Sequence, residues 1–193
     1  MIRGEAQIPA VLQKIDRVWL EPASPPASAG VLQTIKRADL IILGPGSLYT
    51  SVIPNLVVAE IAEAIRRSSA LKIFVCNLMT QPGETDHLAA SQHLGVLEYY
   101  LGRGVVDVCL LNTRSPNSCS MERYLAGGSH PVRCDEDEIA RMNVVPIASD
   151  LVPDDEEFSG RHDPTKLGQM VLFLANGVTG GRELAGKSHS WVA

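Results

Sequence analysis

The residues with the clearest chemical potential lie in a glycine-rich stretch, Gly44–Ser51 (GPGSLYTS), that directly follows a short apolar run. Glycines at the end of a strand let the backbone approach an anion, and a helix beginning beyond them adds partial positive charge. The stretch lacks the lysine of a P-loop and the G-x-G-x-x-G of a dinucleotide fold, so a tight turn explains it equally well at this point. The candidate phosphate-binding residues are Gly44, Pro45, Gly46, Ser47, Thr50 and Ser51.

A second polar stretch, Asn77–Thr85 (NLMTQPGET), follows the next apolar run along the chain. Loops that follow neighbouring parallel strands converge on one crevice at the carboxyl edge of the sheet. Amides and hydroxyls here could bind a base, ribose or sugar, and Asn112 ends a third apolar run in an equivalent position. The candidates in the second stretch are Asn77, Thr80, Gln81, Gly83, Glu84 and Thr85.

Other reactive side chains form no recognisable site. His87 and His93 would lie about 240° apart around a helix, which argues against a shared metal. His93 alone is either a hydrogen-bonded core residue or a base, and the core role is favoured. Without a G-x-S-x-G elbow, Ser47 is a poor candidate nucleophile. The cysteines show no C-x-x-C spacing; they are Cys76, Cys109, Cys119 and Cys134.

Short apolar runs alternate with runs of helical period, and these predict the elements that position the polar stretches. The predicted strands are Ala38–Leu43, Leu71–Cys76, Val105–Leu111 and Val144–Ile147. The predicted helices are Val57–Arg67, Ala89–Leu101, Asp135–Met142 and a last one, capped by Asp163 and Pro164, that continues through Leu174. This alternation predicts an α/β fold in which helices cover both faces of a parallel sheet.

Composition bounds the possible functions. The chain has 193 residues, 45% of them hydrophobic and 20% charged, with a formal charge of −5, as expected for one globular domain. A pI near 5.5 without basic clusters argues against nucleic-acid binding. The sequence shows neither a membrane-span pattern nor a signal-peptide pattern, so we expect a cytoplasmic protein. We expect a domain over residues 1–176 and a flexible tail over 177–193, with mobile Glu21–Gly30 and a loop at Leu151–Gly160.

Three stretches together resemble the CofD-like superfamily, and more closely its gluconeogenesis-factor (YvcK-like) branch. They are residues 38–58 (ADLIILGPGSLYTSVIPNLVV), 72–86 (KIFVCNLMTQPGETD) and 161–167 (RHDPTKL). The resemblance implies a Rossmann-like fold. One branch is 2-phospho-L-lactate transferase, which builds coenzyme F420; the other comprises bacterial proteins needed for cell shape and for growth on gluconeogenic carbon sources, which bind UDP-sugars. The Gly-Pro-Gly-Ser form of the first loop is that of the second branch.

The resemblance also assigns roles to residues outside the two loops. Tyr124 and Arg161 match a tyrosine and an arginine of the family, and could stack on uracil and pair with a diphosphate. Core packing and a surface ion pair are their alternative roles. Gln92-His93 stands where the family commonly has Asp-His, which weakens a catalytic role for His93.

The largest departure from the family is at the start. Family members begin with a strand, a G-G-G-T-G loop and a D-D-G-G-S motif, and neither motif occurs in this sequence. Met1 aligns inside the family's domain, so we expect an N-terminally truncated domain whose exposed sheet edge favours self-association or a partner chain. We also expect weaker nucleotide binding than in complete relatives.

These observations favour a regulatory protein that binds a UDP-sugar such as UDP-N-acetylglucosamine without turnover and without a resident cofactor. The diphosphate would lie over Gly44–Ser47, and the uridine or sugar against Asn77–Thr85. One alternative is a phosphotransferase of the 2-phospho-L-lactate transferase type, which would need Mg²⁺ and has only Glu84 and Asp86 as nearby acidic groups. The other is an inactive fragment.

Overall fold

A computed structural model of the chain describes residues 15–115, 118–154 and 160–179. The strands are β1 (Leu40–Leu43), β2 (Leu71–Val75), β3 (Val108–Asn112) and β4 (Val145–Ser149). The helices are α1 (Ala29–Arg37), α2 (Ile53–Leu56), α3 (Ala59–Arg67), α4 (Ala90–Leu101), α5 (Ser118–Ala126), α6 (Glu136–Arg141) and α7 (Pro164–Thr179). A π-helical turn at Leu48–Val52 leads directly into α2. The four predicted strands are thus confirmed, with β3 beginning three residues later than predicted.

The four strands form one parallel sheet in the order β1-β2-β3-β4. Each strand lies beside its neighbour in sequence, and the register places Leu43 beside Phe74 and Phe74 beside Cys109. Helical segments connect successive strands, as βαβ units require. The α/β fold class predicted from the sequence is confirmed.

Alternation along the strands divides the apolar side chains between two cores. Phe74 and Cys109 point to one face, where they pack against α2, α3, α4 and α6. Ile73 and Leu110 point to the other face, which Leu174 of α7 covers together with Tyr124 of α5. Helices therefore cover both faces, as predicted, and all five residues of β2 are buried.

The boundaries differ from the sequence prediction where the apolar pattern is weak. The segment Glu21–Gly30 ends earlier than predicted because α1 begins at Ala29. The backbone N–H of Ala27 donates to Glu60 Oε2 at 2.6 Å, which ties this segment to α3. Helix α7 continues to Thr179, past the predicted start of the tail at Gly177, and the rest of the tail lies outside the described residues. Helices α1, α2 and α5 have no counterpart among the predicted elements.

Within the part of the chain that the structure describes, no single helix is long and apolar enough to cross a membrane. One bent pair, Leu48–Leu56 with Ala59–Arg67, passes the same test of length and composition.

The start of α7 confirms the predicted cap. Asp163 Oδ1 accepts hydrogen bonds from the backbone N–H groups of Thr165 and Lys166, each at 2.8 Å. Replacing Asp163 with Ala removes both bonds, so we expect the free energy of unfolding to fall by about 1 kcal/mol in urea titrations. The matched variant Asp163→Asn keeps the acceptor and should keep most of the stability. An equal loss in both variants would show that the negative charge matters and the cap does not.

Candidate functional site

The loop after β1 passes close against β2. Gly44 has φ +88°, and a Cβ there would lie 3.0 Å from the carbonyl oxygen of Val75. A residue with a side chain would be strained in this conformation and crowded by a backbone that cannot move aside. The Gly44–Pro45 peptide bond is cis. The glycine therefore brings the loop across the carboxyl end of β2, where the crevice was predicted.

The loop after β2 holds its shape through its own side chains. The backbone N–H of Gln81 donates to Thr85 Oγ1 at 2.9 Å, and that of Gly83 donates to Asp86 Oδ2 at 2.8 Å. Thr80 Oγ1 accepts from the backbone N–H of His130 at 2.9 Å. Thr80 and Thr85 are buried, so these two predicted binding residues shape the loop from within.

The two loops meet at one hydrogen bond. Gln81 Nε2 donates to Ser47 Oγ at 2.7 Å. Because Ser47 Oγ is the acceptor in this bond, its own proton can be donated to another group. Gln81 Oε1 is buried and has no hydrogen-bond partner among the described residues. The predicted convergence of the two loops is confirmed, and its centre pairs a hydroxyl donor with an amide acceptor.

Tyr49, two residues after Ser47, is buried in the apolar core with Leu48 and Val52. Burial raises the pKa of Tyr49, and the nearby groups Tyr100, Asp16 and Glu84 raise it further. Glu84 is buried as well. The sequence analysis assigned no role to Tyr49, and the structure gives it one in packing.

Three other candidate residues lie in locally ordered segments, and one of them, Asn112, has its amide bonded there. Asn112 Nδ2 donates to Arg114 O at 2.6 Å, and Asn112 Oδ1 accepts from the backbone N–H of Leu151 at 3.0 Å. Its amide thus ties β3 to the segment after β4. Thr50 and Ser51 lie within the π-helical turn, where Ser51 N–H donates to Ser47 O at 2.9 Å. The helical run therefore begins immediately after Ser47, nearer to the glycines than predicted.

The segment before α7 closes over the end of β2. A Cβ on Gly160 would lie 2.5 Å from the hydroxyl of Tyr124, so this glycine lets the backbone cross the tyrosine ring. The side chain of His162 bonds to the backbone of Cys76, and its buried Nε2 has no hydrogen-bond partner among the described residues. Burial lowers the pKa of His162, against the opposing effect of that bond. Arg161 between them is exposed.

Sequence reasoning selected Arg161 and missed its neighbour His162. The motif RHDPTKL contains both residues, but a family comparison drew attention to the arginine alone. The available signal was the position of a histidine directly before a helix cap, at the edge of the predicted crevice. Its bond to Cys76 places it one residue beyond Val75, the residue that Gly44 contacts.

An ion-pair cluster fastens the base of α7 to the segment after β4. Lys166 Nζ lies 3.0 Å from both Asp150 Oδ2 and Asp154 Oδ1. Arg114 Nη1 lies 3.2 Å from Asp150 Oδ2 and also pairs with Asp154. Burial alone would raise the pKa of Asp150, but hydrogen bonds from Lys166, the Val152 N–H and Arg114 outweigh it and lower that pKa. The cluster pairs two cations with two carboxylates. Arg161, which follows Gly160 in sequence, is not one of these cations.

The core role predicted for His93 is confirmed. His93 is fully buried, its Nδ1 lies 2.9 Å from Ala89 O, and burial lowers its pKa. The ring of His87 lies 5.7 Å from that of His130. Cys76 and Cys109 are buried in the core, and Cys134 is exposed; the side chain of Cys119 lies outside the described residues. Across residues 15–115, 118–154 and 160–179, no group of three or more His, Cys, Asp or Glu side chains is arranged to hold a metal ion.

Comparison with known proteins finds one consistent group. The family model described as 2-phospho-L-lactate transferase CofD matches residues 1–152. A curated protein of Aquifex aeolicus is 41% identical over 177 residues, covering 90% of this chain and 54% of the relative. The gluconeogenesis factor of Bacillus subtilis is 36% identical over 174 residues, covering 90% of this chain and 55% of the relative. This chain thus spans about half the length of the curated relatives it matches.

A solved structure agrees with this grouping. The crystal structure of a UPF0052 family protein from Bacillus halodurans matches with a TM-score of 0.83 at 38% identity. The match covers 89% of this chain and 55% of that chain. The fold described above is therefore shared with part of that protein, and the resemblance carried by the three sequence stretches is confirmed.

Proposed function

Because this chain belongs to the CofD family, within its gluconeogenesis-factor branch, we propose that it is a regulatory protein that binds a nucleotide sugar such as UDP-N-acetylglucosamine without turnover. It would act in the cytoplasm, where the bound state would link carbon metabolism to control of the cell wall and cell shape. The relatives supply the link to gluconeogenesis, and the candidate site supplies the chemistry of the ligand.

The observation that carries the proposal is the contact between Ser47 and Gln81 at 2.7 Å. The Ser47 proton can be donated to a phosphate oxygen, while Gln81 Oε1 can accept from a sugar hydroxyl or an acetamido N–H. Gly44 and Gly46 let the loop pack closely against Val75 O and Ser51 Cβ, and the helical run that starts at Leu48 favours negative charge beside Ser47. In a nucleotide sugar the diphosphate is joined directly to the sugar, so a donor for the phosphate and an acceptor for the sugar would lie side by side, as Ser47 and Gln81 do.

The other half of the ligand would meet the segment before α7. Tyr124 lies against Gly160, and Arg161 follows in an exposed position. A guanidinium can form paired hydrogen bonds to a diphosphate, and the ring of Tyr124 can stack on uracil. Glu84 is buried near Tyr49 and would orient a ligand hydroxyl.

Calorimetric titration of UDP-N-acetylglucosamine into the 193-residue chain tests this proposal. We expect saturable binding to one site per chain and no product after prolonged incubation, with or without Mg²⁺. Uridine and N-acetylglucosamine titrated separately should bind at least about 10-fold more weakly, because neither supplies the diphosphate.

Two results would contradict the proposal. Mg²⁺-dependent consumption of a phosphorylated substrate would instead identify a phosphotransferase, with Glu84 and Asp86 as the acidic groups nearest to the crevice; the name of the matching family model favours this second candidate. The absence of binding by a chain that unfolds cooperatively would show that the described residues do not form a complete site.

A further inference from the structure

Two exposed histidines from different segments of the chain lie against each other. The ring centroids of His87 and His130 are 5.7 Å apart, and the ring planes are tilted by 35°. Both residues are exposed. The sequence analysis considered His87 only as a partner of His93, which is buried in the core. His130 follows much later in the chain, so no local spacing predicts this pair.

Hydrogen bonds fix the backbone of His130 against the loop after β2. Thr80 N–H donates to His130 O at 2.7 Å, and His130 N–H donates to Thr80 Oγ1 at 2.9 Å. On either side, Ser129 Oγ donates to Thr80 O at 2.6 Å, and Val132 N–H donates to Leu78 O at 3.0 Å. None of these bonds involves the imidazole, so the backbone of His130 is held in place independently of its ring.

The backbone of His87 has an unusual conformation. Its φ is +59°, in the left-handed region that residues with a side chain rarely adopt. Residues held in this region are often found where a protein positions a side chain for a function. The turn is tied to the loop after β2, because the N–H of Leu88 donates to the carbonyl of buried Thr85 at 3.1 Å. Both rings are thus carried by backbone that is fixed to the same loop.

The distance between the two rings fits a metal ion held between them. An imidazole nitrogen binds Zn²⁺ at about 2.0 to 2.1 Å, which places the centroid of its ring about 3.2 Å from the ion. Two such centroids are about 5.2 Å apart at the tetrahedral angle and about 6.4 Å apart when the rings lie opposite each other. The observed 5.7 Å lies between these limits. Rotation of the exposed side chains about their χ angles can turn one nitrogen of each ring towards the ion.

We propose that His87 and His130 together bind a divalent transition-metal ion of the class that imidazole prefers, such as Zn²⁺. Asp86 precedes His87, but its Oδ2 accepts from the Gly83 N–H at 2.8 Å. Among the residues that the structure describes, no group of three potential ligands is formed. The two histidines therefore leave positions of a tetrahedral ion open to water or to an anion, and the ion should exchange readily. The site differs from the Mg²⁺ site that a phosphotransferase would need, because Mg²⁺ prefers oxygen ligands.

Titration of ZnCl₂ into the 193-residue chain at neutral pH, followed by NMR, tests this site. The readout is the imidazole resonances of the five histidines. We expect the resonances of His87 and His130 to move together and to saturate at one ion per chain, while those of buried His93 stay unchanged. Mg²⁺ at the same concentrations should move neither. No nucleotide sugar is present, so the result does not depend on the function proposed above.

Single substitutions show whether both rings share the ion. His87→Asn introduces a residue type that tolerates a positive φ, and His130→Asn leaves the backbone bonds to Thr80 in place. Each should weaken Zn²⁺ binding at least about 10-fold, because one of the two ligands is lost. Cys134 is an exposed thiol, and thiols also bind Zn²⁺. The control is therefore Cys134→Ser, which should leave the affinity unchanged.

Three results would overturn the proposal. The first is a titration in which only one of the two histidine resonances moves, or neither does. The second is Zn²⁺ binding that stays as tight in His87→Asn or His130→Asn as in the wild-type chain. The third is the loss of binding in Cys134→Ser, which would assign the ion to the thiol.

Discussion

Replacing Gly46 with Asp is expected to weaken the binding of UDP-N-acetylglucosamine by at least about 100-fold, because it places a carboxylate beside the proposed diphosphate site. Gly46 lies between the tight passage at Gly44 and the hydroxyl of Ser47. A Cβ at Gly46 would lie 3.3 Å from Ser51 Cβ, so the exposed turn at Ser51 must shift by a few tenths of an ångström. The fold should therefore tolerate the substitution, and calorimetric titration measures the loss.

The variant Gly46→Ala separates charge from size. It adds the same Cβ without the carboxylate, so we expect its affinity to fall by less than about 10-fold. Thermal unfolding of both variants should resemble that of the wild-type chain. An equal loss of affinity in both variants would show that the Cβ alone blocks the ligand. Unchanged affinity in Gly46→Asp would place the diphosphate elsewhere.

The sheet was predictable because burial on both faces leaves an unmistakable pattern. The runs that became β1, β2 and β3 are apolar apart from Asp39, Lys72 and Asp107, and the helical periods between them predicted parallel crossovers. Because the strands are parallel, the loops that begin near Gly44 and Asn77 lie at the same edge of the sheet. The approach of the two loops follows from this topology, whereas the hydrogen bond between Ser47 and Gln81 depends on their side chains.

Side-chain roles were less predictable because they depend on partners distant in sequence. Thr80 and Thr85 have the composition of ligand donors, yet their hydroxyls accept backbone N–H groups from His130 and Gln81. The side-chain amide of Asn112 likewise bonds to the backbone of Arg114 and Leu151, and no local sequence pattern predicts these bonds.

Helix boundaries were uncertain where short helices pack weakly. Helix α1 has only nine residues, none of them buried, and it directly follows the proline-rich segment, so the prediction did not include it although it is amphipathic. The π-helical turn after Ser47 carries β-branched and hydroxyl residues, which have modest helix propensity. Tertiary packing fixes this turn, since Leu48, Tyr49 and Val52 are buried.

The site also depends on the backbone conformation of Gly44. Replacing Gly44 with Ala tests how strongly the stability of the fold depends on that conformation. The positive φ of +88° disfavours any side chain, and the new Cβ would press against Val75 O at 3.0 Å. We expect the free energy of unfolding to fall by about 2 to 4 kcal/mol, from the left-handed conformation and the crowding together. Urea denaturation measures the change, with an unchanged m value expected for a two-state transition.

The matched control is Gly95→Ala, the same chemical change in the interior of α4. A Cβ at Gly95 would meet nothing within 4 Å, and alanine is the better helix former, so stability should rise by up to about 1 kcal/mol. If alanine lowers the free energy of unfolding at Gly44 and raises it at Gly95, the loss at Gly44 comes from its backbone conformation and from its contact with Val75 of β2. A stable Gly44→Ala chain would mean that the loop can take another path. Ser47 and Gln81 would then no longer be held together by the strand ends, and the candidate site would lose its structural basis.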